Sequence, residues 1–177
     1  MNRFNDVNRS TKINEGFTLI ETAIVIIVVG VLASLSTPSL INFHQKVQLE
    51  NALVKLRGAI RETQSEAIRL NRSCSVVISP GVHQSITGNC LLTGDRTFKG
   101  IQIQHNQRDA SSPWTITFDH KGRNQSFDDK GTAILHFPMP SQLPPKCLVM
   151  SIGIGLNRVG EYQGELDHIV ARSCITT

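Results

Sequence analysis

Six residues near the amino terminus, Gly16-Phe17-Thr18-Leu19-Ile20-Glu21, place a carboxylate at the head of an apolar run that continues to Ser36. Between Phe17 and Ser36, Glu21 is the only ionisable residue. About 20 apolar residues cross a hydrocarbon core roughly 30 Å thick, so the run has the length of a membrane span. A carboxylate within such a span costs on the order of 3 kcal/mol, and intramembrane acids are as a rule functional and partnered. Two plainer readings compete. One is a secretory signal peptide, with Ser34 and Ser36 before the cut, but its apolar core would be only about 7–15 residues long. The other is an uncleaved anchor. Neither accounts for Glu21.

The rest of the chain offers little catalytic chemistry. The six histidines, His44, His83, His105, His120, His136 and His168, show no H-E-x-x-H spacing and read as scattered surface residues. No G-x-S-x-G or Walker pattern occurs. Gly153-Ile154-Gly155 reads as close strand packing or a bulge, and Asp128-Asp129, without the spaced oxygens of a calcium loop, as a turn. The sequence therefore predicts no enzyme, no metal site and no cofactor.

The four cysteines, Cys74, Cys90, Cys147 and Cys174, form no C-x-x-C pair, and an even count fits disulfides in an oxidising compartment. The midpoint of Cys74 and Cys90 falls at Gly81-Val82, and that of Cys147 and Cys174 at Gly160-Glu161. Hairpins about those points would pair Cys74 with Cys90 and Cys147 with Cys174. Four cysteines allow three connectivities, and buried free thiols are the alternative.

The elements that must position these groups follow from periodicity. Arg3, Arg9 and Lys12 precede the apolar run, which favours a cytoplasmic start and a C-terminal domain across the membrane. Past Pro38, Leu49, Leu53, Leu56, Ile60, Thr63 and Ala67 recur every three or four residues as one helical stripe. Arg57, Arg61, Glu62, Glu66 and Arg69 mostly occupy other faces, and the helix is expected to end near Asn71. Strands are expected at 74–78, 86–92, 101–104, 114–118, 132–137, 147–154 and 166–174, the last two flanking a turn near Gly160. PMPSQLPPK, residues 138–146, reads as an irregular connector. This is an α+β pattern: a long helix, then short antiparallel strands forming a sandwich or curled sheet. The net charge of +4 permits contact with anionic lipid or nucleic acid without arguing for either.

Gly16-Phe17-Thr18-Leu19-Ile20-Glu21 resembles the processing motif of type IV prepilins and type II secretion pseudopilins. The helix-to-strand passage from Leu56 to Ile78, and Ile116–Gly122, are similar to the GspH/FimT family within that group. The resemblance implies that a prepilin peptidase cuts after Gly16 and methylates the new amino terminus at Phe17. It implies that Glu21, fifth in the mature chain, pairs with that amine in assembly, and that Pro38 kinks the helix. The domains would be a cytoplasmic leader (1–16), a transmembrane half-helix (17–38), an amphipathic half-helix (39–71) and a periplasmic β domain (72–177). The fold would be a long helix packed on an antiparallel β-sandwich of two sheets.

The implied protein is a minor pilin held in the inner membrane by one span, with a periplasmic domain, until it joins other pilins in a filament. Its function would be pilus assembly or priming, with twitching motility or DNA uptake as uses. The alternatives are a pseudopilin of a type II secretion system and a DNA-binding receptor at the pilus tip. Some members of the family bind DNA through a Gly-Arg-x-Arg loop. The nearest stretch here, Gly155–Gly160, carries only Arg158. Lys121, Arg123, Lys146 and Arg172 are the other candidate cations, since backbone binding needs several on one face.

Overall fold

The computed structural model describes residues 16–107, 109–125, 131–138 and 141–176, with the side chains of 35–39 outside that set. Among the described residues one α-helix, α1, runs from Leu19 to Arg69. The chain divides into two compact units after Ile41. The first unit contributes the apolar start of α1. Its large side chains from Leu19 to Leu32 are all more than half exposed. α1 is helical through Pro38. The kink expected there falls among residues whose side chains lie outside the described set, and Asp128-Asp129 and the leader before Gly16 lie wholly outside it.

The second unit begins at Asn42. The predicted stripe forms its helical face: Leu49, Leu53, Leu56, Ile60, Thr63 and Ala67 are all buried. Ala52 and Ala59 complete that face. Glu66, expected on the outer side, is buried too, because Arg69 one turn on pairs with its carboxylate at 2.6 Å. α1 stops as predicted. Asn71 takes the left-handed conformation at φ 50°. Its N–H donates to Ile68 O, and Arg72 N–H donates to Ala67 O, the paired bonds that close a Schellman terminus.

Ten strands follow. They are β1 (Cys74–Ile78), β2 (Gly81–Val82), β3 (Ser85–Gly88), β4 (Arg96–Thr97), β5 (Gln102–His105), β6 (Trp114–Phe118), β7 (Gly131–His136), β8 (Lys146–Met150), β9 (Asn157–Tyr162) and β10 (Cys174–Ile175). One sheet has the order β4-β3-β1-β6 and the other β10-β9-β8-β7-β5-β2, all antiparallel. The α1 stripe shares one core with Val76, Ile78, Ile86, Ile116 and Phe118 of the first sheet and Ile103, Ala133, Leu135, Leu148 and Met150 of the second. A smaller cluster, Ile134, Cys147, Val149, Tyr162 and Cys174, covers the other face of the second sheet.

Two expected strands end early, at Gly88 and Met150, and one is misplaced. Residues 166–170 are not a strand; a 3₁₀ turn at Ala171–Ser173 and the two-residue β10 close the chain. The strand lies at Asn157–Tyr162, where a turn was expected. The turn is earlier: Ser151 N–H donates to Leu156 O over a loop in which Gly153 and Gly155 take φ of 80° and 67°.

Both disulfides form as paired from the sequence, Cys74–Cys90 and Cys147–Cys174. The first lies just beyond the β1–β3 pairing. The second is not a hairpin staple. Cys147 faces Gly160 and Cys174 faces Tyr162, so the bridge joins the two neighbours of β9.

Two charged clamps tie α1 to the strands. Glu62 accepts from Leu92 N–H at 2.6 Å and Thr93 N–H at 3.1 Å, and pairs with Arg96. Arg96 also donates to Lys55 O, passing over Gly58, where a Cβ would sit 2.9 Å from its guanidinium. Glu62→Ala leaves two backbone donors and Arg96 without their acceptor, an expected loss of about 2 kcal/mol, read from the shift in denaturation midpoint. Lys146 forms the second clamp, 2.5 Å from Glu50 and 3.0 Å from Glu161. Burial alone would lower the Lys146 pKa, but the two carboxylates more than offset it and hold the ammonium above its usual value.

Candidate functional site

The amino-terminal motif is laid out in a short stretch. Gly16, Phe17 and Thr18 precede the helix and are exposed, Phe17 by 79%, and nothing lies within 4 Å of where a Gly16 Cβ would point. Both residues that flank the Gly16–Phe17 peptide bond are exposed. Thr18 caps α1. Its carbonyl takes the first helical bond from Thr22 N–H at 3.1 Å, and its hydroxyl accepts from Glu21 N–H at 3.3 Å. The Glu21 carboxylate in turn accepts from Thr18 N–H at 3.3 Å. That reciprocal pair is a capping box. Thr18-x-x-Glu21 is its sequence signature. Glu21 therefore has a partner within its own chain: the first turn of its own helix.

Beyond Glu21 the helix exposes Ile24, Val25, Ile26, Ile27, Val28, Val29, Val31 and Leu32, around its whole circumference. A helix apolar all round is one that a membrane or other helices bury. Among the described residues no helix is long and apolar enough to cross a membrane. The stretch from Leu19 to Ser34, the part with described side chains, spans about 24 Å at 1.5 Å per residue.

The candidate cations do not form one patch. Lys146 is buried, with its ammonium paired to both Glu50 and Glu161. Arg158 and Arg172 line one cleft of about 740 Å³ with Val149, Leu156 and Ala171, and Arg158 donates to Ala171 O. Lys121 and Arg123 sit on a separate turn after β6. There Asp119 accepts from Lys121 N–H at 2.9 Å, Arg123 N–H at 2.8 Å and Arg123 Nε at 2.7 Å. Burial would raise the Asp119 pKa, but these donors and the Arg123 charge outweigh it and hold the carboxyl below its ordinary range. A depressed carboxylate pKa stabilises the fold above the unfolded value and loses that contribution as pH falls through the folded one. Acidification below about pH 4 is thus expected to loosen this turn, seen as faster amide exchange at Arg123. Asp119→Asn should remove that pH dependence.

The histidines are not all on the surface. His105 and His136 are buried. Burial lowers the His105 pKa, against smaller opposing effects of Ser112 and Asp109. Its Nε2 lies 2.9 Å from Ser112 O, and its Nδ1 accepts from Gln107 N–H. This is a structural role in closing the loop after β5. Among the described residues, no three His, Cys, Asp or Glu side chains gather as metal ligands do.

Two solved structures resemble the chain. Both are of the type IV minor pilin FimU of Pseudomonas aeruginosa PAO1, in different crystal forms. One is 14% identical, with a TM-score of 0.49 over 68% of this chain and 92% of that one. The other is 13% identical, with a TM-score of 0.47 over 62% and 90%. No protein-family model and no curated protein matches. A likeness at this level carries no functional argument, so function must be read from the residues of this chain.

Proposed function

We propose that the chain is a minor pilin of a type IV pilus, stored in the inner membrane and drawn from it into a filament. The observation that carries this reading is the order of parts at the amino terminus. An exposed Gly16–Phe17 bond comes first, then a capped helix start bearing one carboxylate, then a helix apolar on every side. A prepilin peptidase acting after Gly16 leaves Phe17 as an ammonium one residue before the cap. N-methylation keeps its charge. Residues 17–36 have the roughly 20-residue length of a span, and such a helix is stable either in lipid or among like helices.

Glu21 then has two duties, as cap of its own helix and as counter-charge for the Phe17 ammonium of a neighbouring copy. In a low-dielectric bundle, that pairing offsets the desolvation of both groups. The duties are separable. Glutamine serves a capping box as glutamate does but carries no charge. Glu21→Gln is expected to leave α1 and membrane insertion intact and to cut incorporation into filaments at least about tenfold, the effect of roughly 1.4 kcal/mol. Incorporation is measured by blotting sheared pili against the membrane fraction. Full incorporation of Glu21→Gln would mean that Glu21 is a cap and nothing more.

A further inference from the structure

The β8–β9 loop, residues 151–156, holds three branched aliphatic side chains in solvent: Ile152 is 51% exposed, Ile154 66% and Leu156 65%. The loop is braced. Ser151 N–H donates to Leu156 O at 2.8 Å and Asn124 N–H to Gly153 O at 2.7 Å. The Gln64 amide of α1 donates to Gly122 O at 2.7 Å and Ile154 O at 3.3 Å. A Cβ at Gly155 would lie 2.9 Å from the Phe118 ring and 3.0 Å from that amide. A fixed loop with outward apolar side chains marks an interaction site. Cations adjoin it. Arg61 is exposed on α1 one turn before Gln64, and Lys121 is exposed on the turn that Gln64 also binds. The carboxylates nearest these residues in sequence, Asp119 and Glu62, are committed to Arg123 and Arg96.

An apolar centre with a cationic rim fits an acidic segment that carries aliphatic side chains. The chain has one of its own. Glu165-Leu166-Asp167-His168-Ile169 follows β9, with Glu165 and Asp167 exposed and Leu166 and Ile169 half-buried against Ile134, Val149 and Tyr162. Neither acidic side chain has a partner among the described residues. The two segments stay apart within one chain. The 151–156 loop enters β9 at Asn157, whereas the acidic segment leaves from Tyr162 and lies beside Gln104–Gln107.

We propose that the Ile152–Leu156 loop of one copy docks on the Glu165–Ile169 segment of the next. Because two different surfaces meet, the contact is heterologous and repeats along an open array. Three aliphatic side chains cannot supply the roughly 1,200 Å² of a stable dimer, so the contact orders copies already gathered by another element. Its surfaces belong to the unit from Asn42 onward, but the gathering of copies rests on the pilin reading, which the Glu21→Gln variant and the amino-terminal sequence test separately.

The test uses the full chain in membranes, with a benzophenone side chain at Leu156. Irradiation is expected to give an adduct of two copies, with the link mapped to 165–169. Arg61→Glu with Lys121→Glu in one chain, or Glu165→Lys with Asp167→Lys in another, should each lower the adduct at least fivefold. Co-producing the two variants should restore it, since every contact between unlike copies regains opposite charges. Disulfide formation in each variant reports that it has folded. An adduct with lipid or another protein, a link mapped elsewhere, no adduct at all, or no restoration in the mixture would each overturn the proposal.

Discussion

Replacing Cys147 and Cys174 together by serine is expected to lower stability by about 3.6 kcal/mol. The bridge closes a loop across a separation of 27 residues, and cross-linking a loop of that size removes this much entropy from the unfolded chain. The effect does not stop at entropy. Both sulfurs belong to the small cluster with Ile134, Val149 and Tyr162, against which Ile169 and Ala171 of the carboxy-terminal segment pack. The carboxy-terminal segment from Gln163 should therefore open before the rest. Denaturation under oxidising and reducing conditions measures the first effect, and amide exchange at Val170 and Ser173 the second. A double serine variant that kept wild-type stability would mean that the segment is held by other contacts.

Gly160→Ala carries the second large expected effect, at the same place and for another reason. A Cβ on Gly160 would lie 1.9 Å from Ile175 O and 2.6 Å from Ile175 C. These are backbone atoms, which cannot swing aside as a side-chain end can. β10 must move, and Cys174 with it. The expected loss is about 3 kcal/mol, the upper end for overpacking, together with a free thiol fraction detectable by alkylation. Gly94→Ala is the control. Gly94 has φ of 73° and open space around its Cβ position, so its cost is only the left-handed conformation, about 1 kcal/mol. Equal losses at the two positions would contradict the steric cause assigned to Gly160.

Gly160 also shows why part of the fold was hidden in the sequence. In Asn157-Arg-Val-Gly-Glu-Tyr162 a glycine stands among polar residues, and that composition ordinarily marks a turn. Here it marks a strand over which the chain terminus crosses. The requirement for glycine comes from Ile175, fifteen positions away, and no local pattern can carry it. The α1 stripe was legible because one face meets one core, so its period survives in the sequence. β6 was legible for the same reason: Trp114, Ile116 and Phe118 point inward and Thr115 and Thr117 do not. β7 is buried at every position, since Ala133 and Leu135 join the large core and Ile134 the smaller cluster. Its strand was visible, but its two-sided burial, and with it the burial of His136, was not. The disulfide pairing was found although one of its supposed hairpins is absent.

The candidate site divides in the same way. Gly16, Phe17 and Glu21 stand together in six residues, and local structure accounts for their arrangement. Thr18 is equally legible as the cap, since Thr18-x-x-Glu21 is a local pattern that gives the carboxylate a role independent of the membrane. The cations were not legible as a group. Lys146 looks like any other exposed lysine until Glu50 and Glu161, on different elements, close around it.

The proposed function requires processing after Gly16 and assembly through Phe17 and Glu21. Intact-mass and amino-terminal sequencing of the protein recovered from the native membrane tests it most directly. The expected result is a chain that begins at Phe17 and carries one added methyl group on its amine. A chain that still begins at Met1, or one cut near Ser34 to Ser36, would contradict it.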